Sequence, residues 1–182
     1  MSEIRISNST KEEYLKEFLL NLGEDTVSNF SYFDEISKEN IEEIIQNELN
    51  RKDKLKFFVH IDNELIAYGF LTLFKKSTKK HSCILGIVIG DNFQGKRLGK
   101  QICSKMIQTG WESGLEKIWL TVNEDNKIAI KLYKTLGFRV EGIFVNDEYK
   151  NDTYKNVISM AIFKKKELDN SKRLKIWQEI EK

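Results

Sequence analysis

The chain has 182 residues, 40% of them hydrophobic and 32% charged, with a formal net charge of +2 at pH 7. That length suits one compact domain and that balance allows a buried core beneath a wet surface, while the charge is too small to argue for nucleic acid. No stretch approaches the ~20 apolar residues of a membrane helix, the opening MSEIRISNSTKEEYLK has no apolar signal core, and Cys83, Cys103, His60 and His81 form neither a C-x-x-C nor an H-x-x-x-H pair, so the expectation is a cytoplasmic protein with no membrane partner, no nucleic-acid partner and no metal.

In chain order, residues 3–7 predict a short strand. Thr10–Asn21 predicts a helix capped by Thr10, with Glu13 at capping-box spacing and Leu15, Phe18, Leu19 and Leu22 on one apolar face. Ser37–Asn50 predicts a second helix, capped by Ser37 and striped by Ile41, Ile44, Ile45 and Leu49. Lys56–Ile61 and Leu65–Phe74 read as a hairpin around Asp62-Asn63-Glu64. The lysines at 75, 76, 79 and 80 read as a solvated hairpin tip, and His81–Ile89 as a central strand covered on both faces. A glycine-rich loop leads into a helix from Leu98 to about Trp111; then come a strand (Lys117–Val122), a helix (Asn126–Leu136) ended by Gly137, and closing strands Phe138–Val145 and Tyr154–Phe163. The order defines an α/β domain over residues 1–163 with a mixed, mostly antiparallel central sheet flanked by helices. Residues 164–182 are a charged extension with Leu174, Trp177 and Ile180 at helical spacing, able to dock on a second subunit as a homodimer.

The informative segment runs from Ile87 to Lys100, a buried strand leading into a loop with glycines at 90, 95 and 99. At a strand–loop–helix junction the first backbone N–H groups have no helical acceptor, and with the helix dipole they attract an anion. Lys96, Arg97 and Lys100 add charge, and a guanidinium grips phosphate with two hydrogen bonds. The loop is not a P-loop, because Arg97 stands where Ser or Thr is needed, and it lacks the G-x-G-x-x-G dinucleotide fingerprint. The plain alternative is a solvated strand-to-helix turn. Asn126 and Tyr133 are seven residues apart, hence on one helix face with Ala129 between them. That face suits a bound ligand; otherwise Asn126 is an N-cap and Tyr133 a core residue.

Gln94-Gly95-Lys96-Arg97-Leu98-Gly99 resembles the Q/R-x-x-G-x-G/A signature of the GNAT superfamily of acyltransferases, with Arg97 in place of the middle glycine. Leu120 to Phe138 matches every fixed position of the family's L-x-V-x-x-x-N-x-x-A-x-x-L-Y-x-x-x-G-F segment. Glu141-Gly142, Tyr149 to Tyr154 and Met160 resemble a branch ending EG…Y-x-N-G-x-Y…M, with Asp152 for the glycine. The resemblance spans Phe57–Phe163 and implies an acyl-CoA-dependent N-acyltransferase with acetyl-CoA or another acyl-CoA as co-substrate. It implies that Gln94, Gly95, Lys96, Arg97, Leu98, Gly99 and Lys100 hold the CoA pyrophosphate, that Ile87, Val88 and Ile89 bond the pantetheine arm, and that Asn126 and Tyr133 line the site, Tyr133 protonating the leaving thiolate.

Direct transfer needs a neutral amine, and an alkyl amine has a pKa of about 10, so a base or a water wire must take its proton. Relatives often carry a glutamate before the Gly86 position; here Cys83, Ile84 and Leu85 stand there, leaving His81 or a water relay. The oxyanion would meet a backbone N–H of Ile87–Ile89. A cysteine nucleophile is not expected, since Cys83 and Cys103 read as core. The acceptor stays open among amino sugars, nucleotide-linked amino sugars, amino acids, polyamines, aminoglycosides and protein N-termini. The N-terminal helices, the aromatic and acidic run from Asn29 to Glu35, and the Phe144–Asp152 loop are expected to frame it. The rivals are a non-catalytic CoA-binding regulatory domain and a nucleic-acid module using the lysine tip.

Overall fold

The computed structural model describes residues 4–30, 36–150 (Lys150 by its backbone alone) and 152–164. The strands are β1 (Ile4–Ser7), β2 (Lys54–Ile61), β3 (Glu64–Leu73), β4 (Ser82–Ile89), β5 (Lys117–Asn123), β6 (Arg139–Lys150) and β7 (Thr153–Phe163). The helices are α1 (Glu12–Leu20), α2 (Glu24–Asn29), α3 (Ile41–Asn50), α4 (Leu98–Glu112) and α5 (Lys127–Thr135). One sheet runs in the order β1-β2-β3-β4-β5-β7-β6. Only the β4–β5 pair is parallel; the others are antiparallel. The expected architecture is thereby borne out.

Strand alternation sends side chains to two cores. From β3, Tyr68 and Phe70 join Phe58 and Val88 under Leu15, Phe18 and Leu19 of α1 and Ile41 and Ile45 of α3. Ala67 and Leu71 face the other way, with Leu85, Ile118 and Leu120, under Ile102, Cys103 and Met106 of α4 and Ile130 and Tyr133 of α5. Each fully buried Leu, Ile or Phe contributes about 1.5–3 kcal/mol.

A polar cluster lies inside the first core. The Lys54 ammonium donates to both Glu48 carboxylate oxygens (2.8 and 2.9 Å), and the Tyr68 hydroxyl donates to the same carboxylate. The Lys54 and Glu48 side chains are 0% and 2% exposed, and burial pulls Lys54 down to about 8 against the pull of Glu48. Losing one partner of such a pair costs about 3–5 kcal/mol, because the other charge stays buried.

Several sequence expectations are corrected. Thr10 does not cap α1: its hydroxyl shares a 3.1 Å hydrogen bond with Nε2 of buried His60, and Lys11 stands at the cap with no side-chain bond. Ser37 does not cap α3, which starts at Ile41; Ser37 closes a turn in which its N–H donates to Asn40 Oδ1 (2.9 Å). Beyond Val145, β6 is a strand to Lys150 rather than a loop, with a register irregularity between Phe144 and Glu148 and Asn146 at φ 54°. Asp152, in the β6–β7 turn, has φ 57°, a backbone state that glycine adopts freely and Asp tolerates. The extension 165–182 and the run 31–35 lie outside the described residues, so neither expectation is addressed there.

α2 was not expected, since Glu24–Asn29 has no apolar stripe and buries none of its residues. It is held from outside. Asp91, just past β4, accepts from Gly23 N–H (2.8 Å) and the Thr26 hydroxyl (2.5 Å), and Gln94 Nε2 donates to Thr26 Oγ1 (2.9 Å) and to the Ile89 carbonyl (3.1 Å). The Thr26 and Gly23 bonds hold the Asp91 carboxyl below its usual range. A depressed carboxyl contributes stability that is whole above the unfolded Asp pKa of about 4 and is lost as pH falls through the folded value. Asp91→Asn is therefore expected to lower stability by about 1 kcal/mol at pH 7 and by less at pH 3, read from urea midpoints. An equal loss at both pH values would remove the charge from the account.

Candidate active site

β4 and β5 pair only from Ser82–Ile84 to Lys117–Trp119. Past Ile84, β4 stays on β3 as far as Ile89, while β5 stays on β7 as far as Asn123. The sheet forks there. From Leu85 to Ile89 one edge of β4, roughly 13 Å at ~3.3 Å per residue, has no strand partner among the described residues. Backbone N–H and C=O groups in mid-sheet are costly to leave unpaired, so the fork can take an extended, amide-bearing ligand.

The open end of the fork leads to the start of α4. Gln94–Arg97 is exposed, Gly95 has φ 73° and Arg97, at the N-cap, has φ 63°, ψ 9°. No side chain caps α4. α1, α2 and α3 each carry two acids in the first turn, whereas α4, like α5, has none there and is flanked by Lys96, Arg97 and Lys100. Cations at the positive end of a helix dipole repel it unless an anion sits between them. Successive N–H groups there form a cradle that fits a pyrophosphate.

α5 closes the second side. A Cβ placed on Gly99 would lie 3.0 Å from Leu132 of α5 and 3.4 Å from Ile89, so the start of α4, the end of β4 and α5 meet there. Asn126 is the N-cap of α5: its Oδ1 accepts from Ala129 N–H (3.1 Å), which leaves its Nδ2 as a donor. Tyr133 is 8% exposed and packs on Phe138 (5.6 Å between centroids). Burial first, and then the neighbouring Cys103 thiol, push the Tyr133 phenol up, so it holds its proton at neutral pH. Burial also pushes both Cys83 and Cys103 up to about 12, which makes them poor nucleophiles.

Loop, fork edge and α5 thus come together, carrying Gln94–Lys100, Ile87–Ile89, Asn126 and Tyr133. The Gln94 side chain is engaged with Thr26 and Ile89, so toward a ligand it offers its backbone. His81 stands apart, exposed at the start of β4 and ahead of the fork. Sequence reasoning missed Thr26 and Asp91, which brace the loop; a lone Asp after a glycine reads as an ordinary turn, and nothing local links positions 26 and 91.

The family model for the acetyltransferase (GNAT) family matches residues 17–138. The chain belongs to that family. It is 27% identical over 124 residues to spermidine N(1)-acetyltransferase of Escherichia coli K12, covering 68% of this chain and 66% of that one, just under two thirds of the relative's length. It is 26% identical over 103 residues to an L-amino acid N-acetyltransferase of the same strain, covering 56% and 63%. In fold it is similar to spermidine N-acetyltransferase of Vibrio cholerae in complex with CoA and spermine (TM-score 0.74, 21% identity, 88% of this chain and 95% of that one). It is also similar in fold to an acetyltransferase of Salmonella typhimurium with acetyl-CoA (TM-score 0.74, 14% identity, 91% and 96%).

Arg97 holds the left-handed conformation without being glycine, at a cost of about 1 kcal/mol. Arg97→Gly is expected to raise Tm by about 2–4 °C. A lower Tm would show that the backbone there is not strained.

Proposed function

We propose that this protein transfers an acetyl group from acetyl-CoA to a primary amine of a small molecule by direct attack on the thioester. The observation that carries the reading is the fork of β4 from β5, whose open edge ends at an uncapped, cation-flanked helix start. Acetyl-CoA is a substrate here. The N–H groups at the start of α4, with Gly95, Lys96, Arg97 and Lys100, would hold its pyrophosphate. The open edge at Ile87–Ile89 would pair with its pantetheine amides, and Asn126 Nδ2 would add a donor from α5.

The amine nitrogen attacks the carbonyl carbon, forming the N–C bond, and the C–S bond breaks as the thiolate leaves. A backbone N–H of the open edge offsets the oxyanion charge. Tyr133, kept protonated by burial, gives its proton to the thiolate, the amine gives up its own to water, and water returns a proton to the Tyr133 phenolate. His81 is the alternative acceptor of that proton; its exposure ahead of the fork favours the water route.

Polyamines lead the acceptors, on the names of the Escherichia coli and Vibrio cholerae relatives; amino acids come next, on the name of the second Escherichia coli relative. Calorimetry with acetyl-CoA should give a micromolar Kd. Thiol release should then be faster with spermidine or spermine than with amino acids, aminoglycosides or nucleotide-linked amino sugars. Binding without release on any amine would make the chain a CoA-binding regulator, and no binding would remove the pyrophosphate reading. Tyr133→Phe should lower kcat at least about 100-fold with the acetyl-CoA Kd within twofold, the size expected for a lost general acid. For His81→Ala the expected profile of kcat/KM against pH matches the wild type, and a displaced acid limb would return the proton to His81.

A further inference from the structure

Gly86, on the β4 edge of the fork, is covered on the face that α1 and α3 pack against. Gly86 lies just past the last β4–β5 pair and is the β3 partner of Phe70. Antiparallel partners project to the same face, and there the Phe70 ring fills the space that a Gly86 side chain would take. A Cβ built on Gly86 would lie 2.3–2.8 Å from three ring atoms. The ring is 2% exposed and is held by the buried polar cluster. The Lys54 ammonium sits 3.8 Å from the ring centroid, and Glu48 fixes Lys54 through both oxygens. A cation held over a ring in a dry site resists the ring's displacement. Phe30 packs against the ring at 6.2 Å.

We propose that Phe70 is the residue that sets the acyl length of the donor, and that Lys54, clamped by Glu48, positions its ring. The inference rests on the acyltransferase reading above. A chain laid along the open edge from the start of α4 reaches the closure of the fork at Gly86, roughly 10 Å along β4 from Ile89. Its reacting end therefore arrives beside the Phe70 ring. An acetyl group needs little room there, whereas each further methylene must displace a ring that the ion pair holds in place.

The test compares acetyl-, propionyl- and butyryl-CoA, as kcat/KM with spermidine and as Kd without an acceptor, in the wild type, Phe70→Leu, Lys54→Met and Lys54→Arg. The wild type should favour acetyl- over butyryl-CoA by about tenfold or more, the scale that pocket methylenes give. Phe70→Leu should shrink that ratio at least fivefold, Lys54→Met should shrink it less, and Lys54→Arg should restore it. A general loss of stability lowers all donors together and leaves the ratio where it was. The proposal is overturned if the wild type takes butyryl-CoA as well as acetyl-CoA, a result that needs no variant, or if Phe70→Leu keeps the wild-type ratio. Thiol release that fails with every amine strikes the acceptor reading alone, because the donor Kd ratio still decides the role of Phe70. Failure of every acyl-CoA to bind overturns both.

Discussion

Three residue pairs of parallel ladder, Ser82–Ile84 on β4 against Lys117–Trp119 on β5, join the two halves of this sheet. Each half is complete without the other: β4 is paired along its length by β3 and β5 by β7, so neither strand depends on the joint for all its hydrogen bonds. The joint can therefore be short, and a short joint leaves the strands free to diverge. α4 and α5 pack into the same core, with Ile102 and Met106 of α4 and Ile130 and Tyr133 of α5 in one cluster. They stiffen the divergence. The fork is a rigid slot set by packing, lined along one side by backbone.

Electrostatics gives the slot its polarity. The helices that open with two acids satisfy their own dipoles, and α4 does not. The loop before it is braced through Gln94 and Asp91 onto α2, so the positive cradle is anchored to an element with no core of its own. On the other face, a buried ion pair lies against the ring that meets Gly86. Its stabilisation relative to an apolar replacement would be small. Its geometric effect is to fix an aromatic ring where a rotamer could otherwise move.

Much of this was legible in the sequence where a pattern repeats at short range. β2 to β5, α4 and α5 carry clear periodicity, and both segments that carry the family resemblance are contiguous, so their residues could be named one by one. Thr10 and Ser37 misled because a hydroxyl near a helix start has other partners: Thr10 found His60 and Ser37 closed a turn. α2 was invisible because its support is a carboxylate from a distant loop. The fork was invisible too, since a sequence shows which residues make strands and not where two of them stop pairing. Asn126 could be read as a cap or as a ligand contact; its oxygen caps and its nitrogen remains a donor.

The irregularity in β6 has a consequence for how copies of the chain behave at high concentration. β6 is an edge strand among the described residues, and Ile143, Phe144 and Val145 stand 58%, 48% and 73% exposed in succession. A long, flat apolar edge of that kind is a template for end-to-end strand addition. Here the shift between Phe144 and Glu148, with Asn146 in the left-handed region, breaks the edge into two short pieces, and Asp147 and Glu148 follow it with negative charge. The interruption gives the sheet a boundary: its border can stay greasy without growing.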